Sequence, residues 1–376
     1  MPTSRRRILL VAPSLRFLGG QAVQARRLRD RLAEVPGITV DILPVDPVLP
    51  GPLAALQRIK YVRTIVTSIA YVASLVRTVP RYDVVQAFSA SYWSFLLAPV
   101  PAMLVGRLFG KRVLVNYRSG EAPDHLARWG WHAIPLLRLA HEIVVPSGYL
   151  VQVFGKFGLR ARSILNFLEL DRVPYRRRTT LAPKFLSNRN FEAHYNVAQV
   201  LEAFATIQRT HPDASLVVVG DGPLRASLHA RAAELQLRNV TFTGPVKPME
   251  MGAHYDAADI YLNTPLIDNM PNSVIESFAA GLPVVTSDAG GIPWIVRDGE
   301  NGVLIEAGDA DALARGALGL LADPARALAL ADRARAEALE TYTWNAVRPE
   351  WLAVYGATDP IAPATPSREV TVGAAT

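Results

Sequence analysis

The sequence predicts an α/β chain built from two doubly wound domains. Three observations predict it. Short Val/Ile/Leu-rich runs alternate with longer helical patterns along most of the 376 residues. The runs lack polar alternation, as strands of a parallel sheet covered on both faces do. The βα pattern also occurs twice, on either side of a charged stretch containing proline. At roughly 150 residues per domain the length suits two. An apolar content of 50% against 19% charged supplies two cores and excludes a disordered chain.

The elements follow in order. Ile8–Ala12 is an unbroken apolar run after three arginines and reads as the first strand, too short an apolar stretch for a signal peptide. Gly19-Gly20-Gln21 turns the chain into a helix from about Ala22. Further strands are expected at Thr39–Leu43, Val84–Ala87, Val113–Asn116 and Glu142–Pro146. The second set is expected at Lys184–Ser187, Ser215–Val219, Val240–Thr243, Ile260–Asn263, Val284–Ser287 and Val303–Ile305. Arg172, Arg176, Arg177 and Arg178, with Pro174 and Pro183, mark the link, which places the domains at 1–178 and 179–345. The Pro/Ala/Thr-rich tail, 359–376, is expected to be disordered.

Charge is unevenly spread. Residues 1–180 carry a net +16 and residues 181–376 a net −9, within a total of +7. The first half therefore expects an anionic partner. The candidates are a membrane surface, nucleic acid or a phosphorylated substrate. Nucleic acid is disfavoured, because no aromatic stacking pattern accompanies the basic residues. Thr64–Val76 and Tyr92–Val105 are apolar but too short to span a bilayer. The first has Arg58, Lys60 and Arg63 before it and Arg77 after it, and reads either as a helix lying on anionic lipid or as a core helix with basic ends. There is no cysteine, so no disulfide, thiolate metal site or cysteine nucleophile is available. Asp309-Ala-Asp311 follows a glycine and precedes a helical pattern, which favours a helix cap over a metal site. No metal and no cofactor are expected.

The chemistry concentrates in Asp268-Asn-Met-Pro-Asn-Ser-Val-Ile-Glu276-Ser-Phe-Ala-Ala-Gly281. A strand ends near Asn263, a loop follows, and Asn272 reads as the N-cap of a helix that Gly281 ends. A helix N-terminus at the carboxyl end of a parallel sheet favours phosphate. Glu276, one turn inside, can reach a ribose diol, and Asp268 can accept from another hydroxylated group.

This stretch resembles the C-terminal signature of the family 4 retaining nucleotide-sugar glycosyltransferases, which have the GT-B fold of two Rossmann-like domains facing a cleft. Asp268 stands for the family's first carboxylate and Glu276 matches its second. Val219-Gly-Asp-Gly-Pro223, Thr241-Phe-Thr-Gly244, Tyr255-Asp-Ala-Ala-Asp259 and Asp288-Ala-Gly-Gly-Ile-Pro293 match in order; the first half matches more loosely, through Gly19-Gly20-Gln21 and Val145-Pro-Ser-Gly-Tyr149.

The resemblance implies a donor held mainly by the second domain and an acceptor mainly by the first. Glu276 would bind the donor ribose and Asp268 the sugar hydroxyls. Asn269, Met270, Pro271 and Asn272 would offer backbone amides, with Asn272 and Ser273 facing the diphosphate. Arg189 falls where the family has a diphosphate-binding arginine. The family's lysine about six residues later is replaced by Tyr195, with His194 beside it. Gly19, Gly20, Gly222 and Gly244 would line the donor cleft. Arg118 is the positional match for a sugar-contacting histidine, and His125 is the alternative. A C-terminal helix, 346–358, would pack back on the first domain.

The implied activity is retaining transfer of a sugar from a nucleotide-sugar donor to a hydroxyl acceptor, lipid-linked or a polysaccharide precursor, in the cytoplasm or at the inner membrane face. The missing lysine keeps open a catalytically impaired nucleotide-sugar-binding subunit or sensor.

Overall fold

The computed structural model describes residues 6–14 and 20–357. Two six-stranded sheets organise the chain, and every pairing within them is parallel. The first contains β1 (Arg6–Ala12), β2 (Ile38–Pro44), β3 (Val84–Ser89), β4 (Arg112–Tyr117), β5 (Glu142–Val145) and β6 (Arg162–Ser163). Its order is β2-β1-β3-β4-β5-β6. The second contains β7 (Lys184–Asn188), β8 (Ser215–Val219), β9 (Val240–Gly244), β10 (Ile260–Asn263), β11 (Val284–Ser287) and β12 (Val303–Ile305). Its order is β12-β11-β10-β7-β8-β9. Two-residue β6 has no counterpart in the sequence reading, because Arg160 and Arg162 interrupt any apolar run there.

Continuous apolar strands meet two helical layers. In the first sheet Ile8, Leu10 and Ala12 of β1 face α1 (Gly20–Ala33), while Leu9 and Val11 face α2 (Val62–Thr78). α3 (Tyr92–Leu97), α4 (Pro99–Leu108), α5 (Ala122–Leu137) and α6 (Gly148–Lys156) complete the α2 side. In the second sheet Phe185, Ile260, Leu262 and Val285 face α7 (Val197–Thr210), α8 (Arg225–Glu234) and α11 (Ala310–Ala322). Leu186, Tyr261 and Val284 turn the other way, toward α9 (Met251–Ala257), α10 (Asn272–Ala279) and α12 (Pro324–Thr341). α13 (Trp344–Tyr355) then joins the first sheet's core through Val347, Trp351 and Tyr355. There Tyr355 Oη donates to Gln86 Oε1 at 2.6 Å, and Arg112 Nε donates to the Val354 carbonyl at 3.0 Å.

Two local expectations are corrected, and the link shows one feature the sequence did not: of its arginines, Arg177 is exposed and Arg178 is not. The Arg178 side chain is fully buried and donates to the carbonyls of Tyr255, Ala258 and Ala280, tying the segment to the second sheet's helices. The Thr64–Val76 helix is longer than its apolar run: with the 3₁₀ turn Val79–Arg81 it extends from Val62 to Arg81, 20 residues, long and apolar enough to cross a membrane by length and composition. Asn272 is not the N-cap of α10. Pro271 takes that place in extended backbone, and Asn272 is the first helical residue, its side chain turned to other partners. Asp309 does cap α11, accepting from the Ala312 amide at 2.7 Å. Gly19 and the tail from 359 lie outside the described residues.

Candidate active site

In an open α/β sheet, ligands bind beyond the carboxyl ends of the strands where the connection direction reverses. The second sheet reverses between β7 and β10. Arg189 immediately follows β7, and the Asp268–Ser273 loop follows β10. The first sheet reverses between β1 and β3, next to Gly20, Gln21 and Ala90. The two reversal points face each other across one cavity of about 870 Å³. That volume lies within the usual range for small-molecule sites.

The second half's wall is built around Arg189. Its side chain is 9% exposed and pairs with Asp268, while Nη1 donates to Ser273 Oγ at 3.3 Å. The guanidinium lies over the Tyr195 ring, 4.0 Å from its centroid. Burial works against the charge of Arg189, but Asp268 beside it more than compensates and lifts its pKa above the ordinary arginine value. A cation held this way is oriented before any ligand arrives. Both Asp268 oxygens are used, Oδ2 by Arg189 and Oδ1 by the Asn269 amide at 2.7 Å. In this state Asp268 therefore positions Arg189.

The loop's backbone is seated on Gly290 and Gly291. A Cβ on either would collide with the carbonyl of Asp268 or Asn269, and the Gly291 amide donates to the Asp268 carbonyl at 3.1 Å. This gives the Asp288-Ala-Gly-Gly stretch its physical role.

Glu276 also faces the cavity. Tyr255 Oη donates to its Oε2 at 2.9 Å, and Asn188 Nδ2 donates to Tyr255 at 2.8 Å. Burial, then the Glu276 carboxylate, pushes the Tyr255 hydroxyl pKa well up, so it stays a donor. The other oxygen, Oε1, accepts from Arg27 Nη2 of α1 at 3.1 Å. Arg27 is 6% exposed and also lies 3.8 Å from Glu169.

The first half adds Arg118, at the end of β4, whose guanidinium meets the neutral Asn166 amide oxygen. Burial lowers its pKa to about 10, which still leaves it charged at neutral pH. Asn166 in turn donates to the Met270 carbonyl at 3.1 Å and to Asn272 Oδ1 at 2.9 Å. Gln24 of α1 donates to the same Asn272 oxygen at 3.0 Å, and Ser147 donates to Asn269 Oδ1. These bonds join the two halves across the cleft.

Thus Gly20, Arg118, Arg189, His194, Tyr195, Gly222, Asp268, Asn269, Met270, Pro271, Asn272, Ser273 and Glu276 all border one cavity. Gly244 does not. Its carbonyl accepts from the Gly220 amide at 3.1 Å, so it supports the β8 turn from behind. His125, the alternative to Arg118, is fully buried. Its Nδ1 shares a 2.7 Å hydrogen bond with Tyr117 Oη, and Tyr92, Phe95 and Trp129 surround the ring. It is a core residue.

The sequence reading missed Arg27, Gln24, Asn166 and Tyr255. Two signals were usable: Tyr255 opens the matching Tyr255-Asp-Ala-Ala-Asp259 stretch, and Gly20, Gln24 and Arg27 recur at helical spacing directly after the glycine turn.

Comparisons with known proteins agree with this architecture. Residues 176–337 match the family model described as glycosyl transferases group 1. The GDP-mannose-dependent alpha-(1-6)-phosphatidylinositol monomannoside mannosyltransferase of Mycolicibacterium smegmatis is 31% identical over 154 residues, 39% of this chain and 40% of that protein. The lipopolysaccharide core biosynthesis glycosyltransferase LpsE of Rhizobium meliloti is 30% identical over 200 residues, 51% and 56%. The chain thus spans about half the length of these curated relatives. The Anabaena HepE structure in complex with UDP-glucose superposes with a TM-score of 0.74 at 18% identity, covering 93% of this chain and 99% of that one. Residues 176–337 thus match the group 1 glycosyltransferase model, and the two facing parallel sheets have the GT-B fold.

Proposed function

We propose that the chain is a retaining glycosyltransferase that moves a sugar from a nucleoside diphosphate sugar to a hydroxyl acceptor of the glycolipid or polysaccharide-precursor class. One observation carries the reading: Arg189 and Glu276, 87 positions apart, line one cavity at the second sheet's reversal point, facing Arg118 from the first. Glu276 takes the ribose diol, exchanging its contact with Arg27 for hydroxyl donors. Arg189, Ser273 and the first amides of α10 take the diphosphate.

In the reaction the bond from the anomeric carbon to the leaving phosphate oxygen breaks, and its electron pair stays on that oxygen. The acceptor oxygen bonds to the anomeric carbon on the same face, and its proton passes to the departing phosphate. The protein contributes orientation and charge stabilisation at the leaving oxygen. GDP-mannose in one relative's name and UDP-glucose bound in the HepE structure support a nucleotide-sugar donor, and the phosphatidylinositol monomannoside and lipopolysaccharide core biosynthesis in the relatives' names support the acceptor class.

A second reading, a nucleotide-sugar-binding subunit without turnover, is favoured by Tyr195, which fills a cation's place with a ring. Incubation with labelled UDP-, GDP- and ADP-sugars and a lipid-linked acceptor pool separates the readings. The proposal predicts a glycosylated product whose anomeric proton keeps the donor's configuration. An inverted product contradicts retention, and donor binding with no transfer selects the subunit.

A further inference from the structure

α2 presents two apolar stripes to two different surroundings. Tyr71 and Leu75, with Val79 just beyond, are buried against Leu9 and Val11 of β1, and Tyr71 Oη donates to the Ala98 carbonyl at 2.6 Å. Ile65, Ile69, Val72 and Val76 form the second stripe, about a quarter turn away at 100° per residue. All four are exposed, Ile65 by 62% and Ile69 by 65%. The surface continues beyond the helix: Tyr61 precedes it, and Leu104 and Leu108 project from α4, which packs on α2. Most of the exposed large apolar side chains among the described residues fall between Val48 and Phe109. An apolar surface of this extent marks an interaction site.

Its charge says what kind. From Pro47 to Gly120 the chain has nine Lys and Arg and a single acidic residue, Asp83. That one is engaged by Arg7 at 3.2 Å. Arg58, Lys60 and Arg63 stand exposed before the stripe, and Arg77 and Arg81 after it. An apolar stripe with basic ends suits the headgroup boundary of an anionic bilayer, where the side chains enter the acyl layer and the cations meet phosphates. The helix is long enough to span, but its buried stripe is part of the first sheet's core and cannot leave without exposing it.

We infer that α2, with the adjoining edge of α4, is a docking face for an anionic lipid bilayer and lies in the interface plane with Ile65, Ile69, Val72 and Val76 inserted. The inference is independent of the donor reading, since it is tested without any nucleotide sugar.

The test is flotation of the full chain with vesicles of phosphatidylcholine alone or mixed with phosphatidylglycerol, at low and high salt. Binding is expected to the mixed vesicles and to weaken as salt rises. Ile65→Ser with Ile69→Ser should lower partitioning at least tenfold with an unchanged melting temperature. Arg58→Gln, Lys60→Gln and Arg63→Gln together should lower it about a hundredfold, at about fivefold per basic residue. The idea is overturned by no flotation with mixed vesicles, by equal binding to neutral ones, or by binding that both variants retain. A homodimer that the isoleucine variant dissociates, with no vesicle binding, would assign the face to a second copy instead.

Discussion

The two halves bury their sheets in the same way and use their surfaces differently. In each, alternate residues of continuous apolar strands feed two helical layers. The second half, net −9, invests its polar residues in one loop and the helix after it, where Arg189, Asp268, Ser273 and Glu276 hold one another before a ligand binds. The first half, net +16, keeps fewer polar groups in the cleft and carries an exposed apolar face ringed by cations. The difference teaches that one fold can gather its polar side chains in a cleft in one half and its exposed apolar and basic side chains on an outer face in the other. The cleft network joins them through Arg27–Glu276 and Asn166–Asn272.

The largest effect should come from breaking that junction. Arg27→Met leaves the buried Glu276 carboxylate without its cation, while Glu169 keeps Arg172 at 2.8 Å, and the loss at Glu276 should cost about 3 kcal/mol of stability. Adding Glu276→Leu should recover part of the loss, so chemical denaturation of both singles and the double should show coupling. Strict additivity would mean the contact carries no energy.

Next, the two cleft arginines should differ. Arg189→Ala should lower transfer by about 10²–10³, the range for a lost oxyanion donor. Arg118→Ala, which removes a guanidinium paired with a neutral amide, should cost about tenfold. Steady-state rates with saturating donor check this, and the reverse ranking would move the charge-stabilising role to the first half.

The last effect appears only on acidification and concerns His125. Burial, with help from His132 and against Asp124, lowers its pKa from 6.5 to about 4. Between those values the unfolded chain binds the proton and the folded chain does not, so this contribution to stability is complete above about pH 6.5 and declines as pH falls toward 4. Wild-type melting temperature should fall more steeply over that window than that of His125→Gln. Equal slopes would show the ring titrating freely in the fold.

The sheets were legible because buried parallel strands are written as unbroken Val/Ile/Leu runs, and β6 was missed because Arg162-Ser163 carries no such run. The carboxylate loop was legible because Asp268 and Glu276 fall within one short stretch and a glycine pair supports it. What escaped depends on tertiary distance. Arg27 and Glu276 are 249 residues apart, and only its helical spacing from Gly20 and Gln24 separates Arg27 from its neighbours Arg26 and Arg29. Likewise Arg178 looks like part of a solvated run until its carbonyl partners are in place.

The central claim is that the cavity between the sheets binds a nucleoside diphosphate sugar with Glu276 on the ribose. It is tested most directly by titrating UDP, GDP and ADP with their common sugars into wild type and Glu276→Gln, reading melting temperature against each protein's own ligand-free value. A ligand at 100 times its dissociation constant adds about 2.7 kcal/mol, roughly 5–11 °C at about 2–4 °C per kcal/mol for a domain of 150–250 residues. The account predicts that one nucleotide series gives this shift in wild type and that Glu276→Gln loses most of it. Equal shifts in both proteins, or none with any nucleotide, would contradict it.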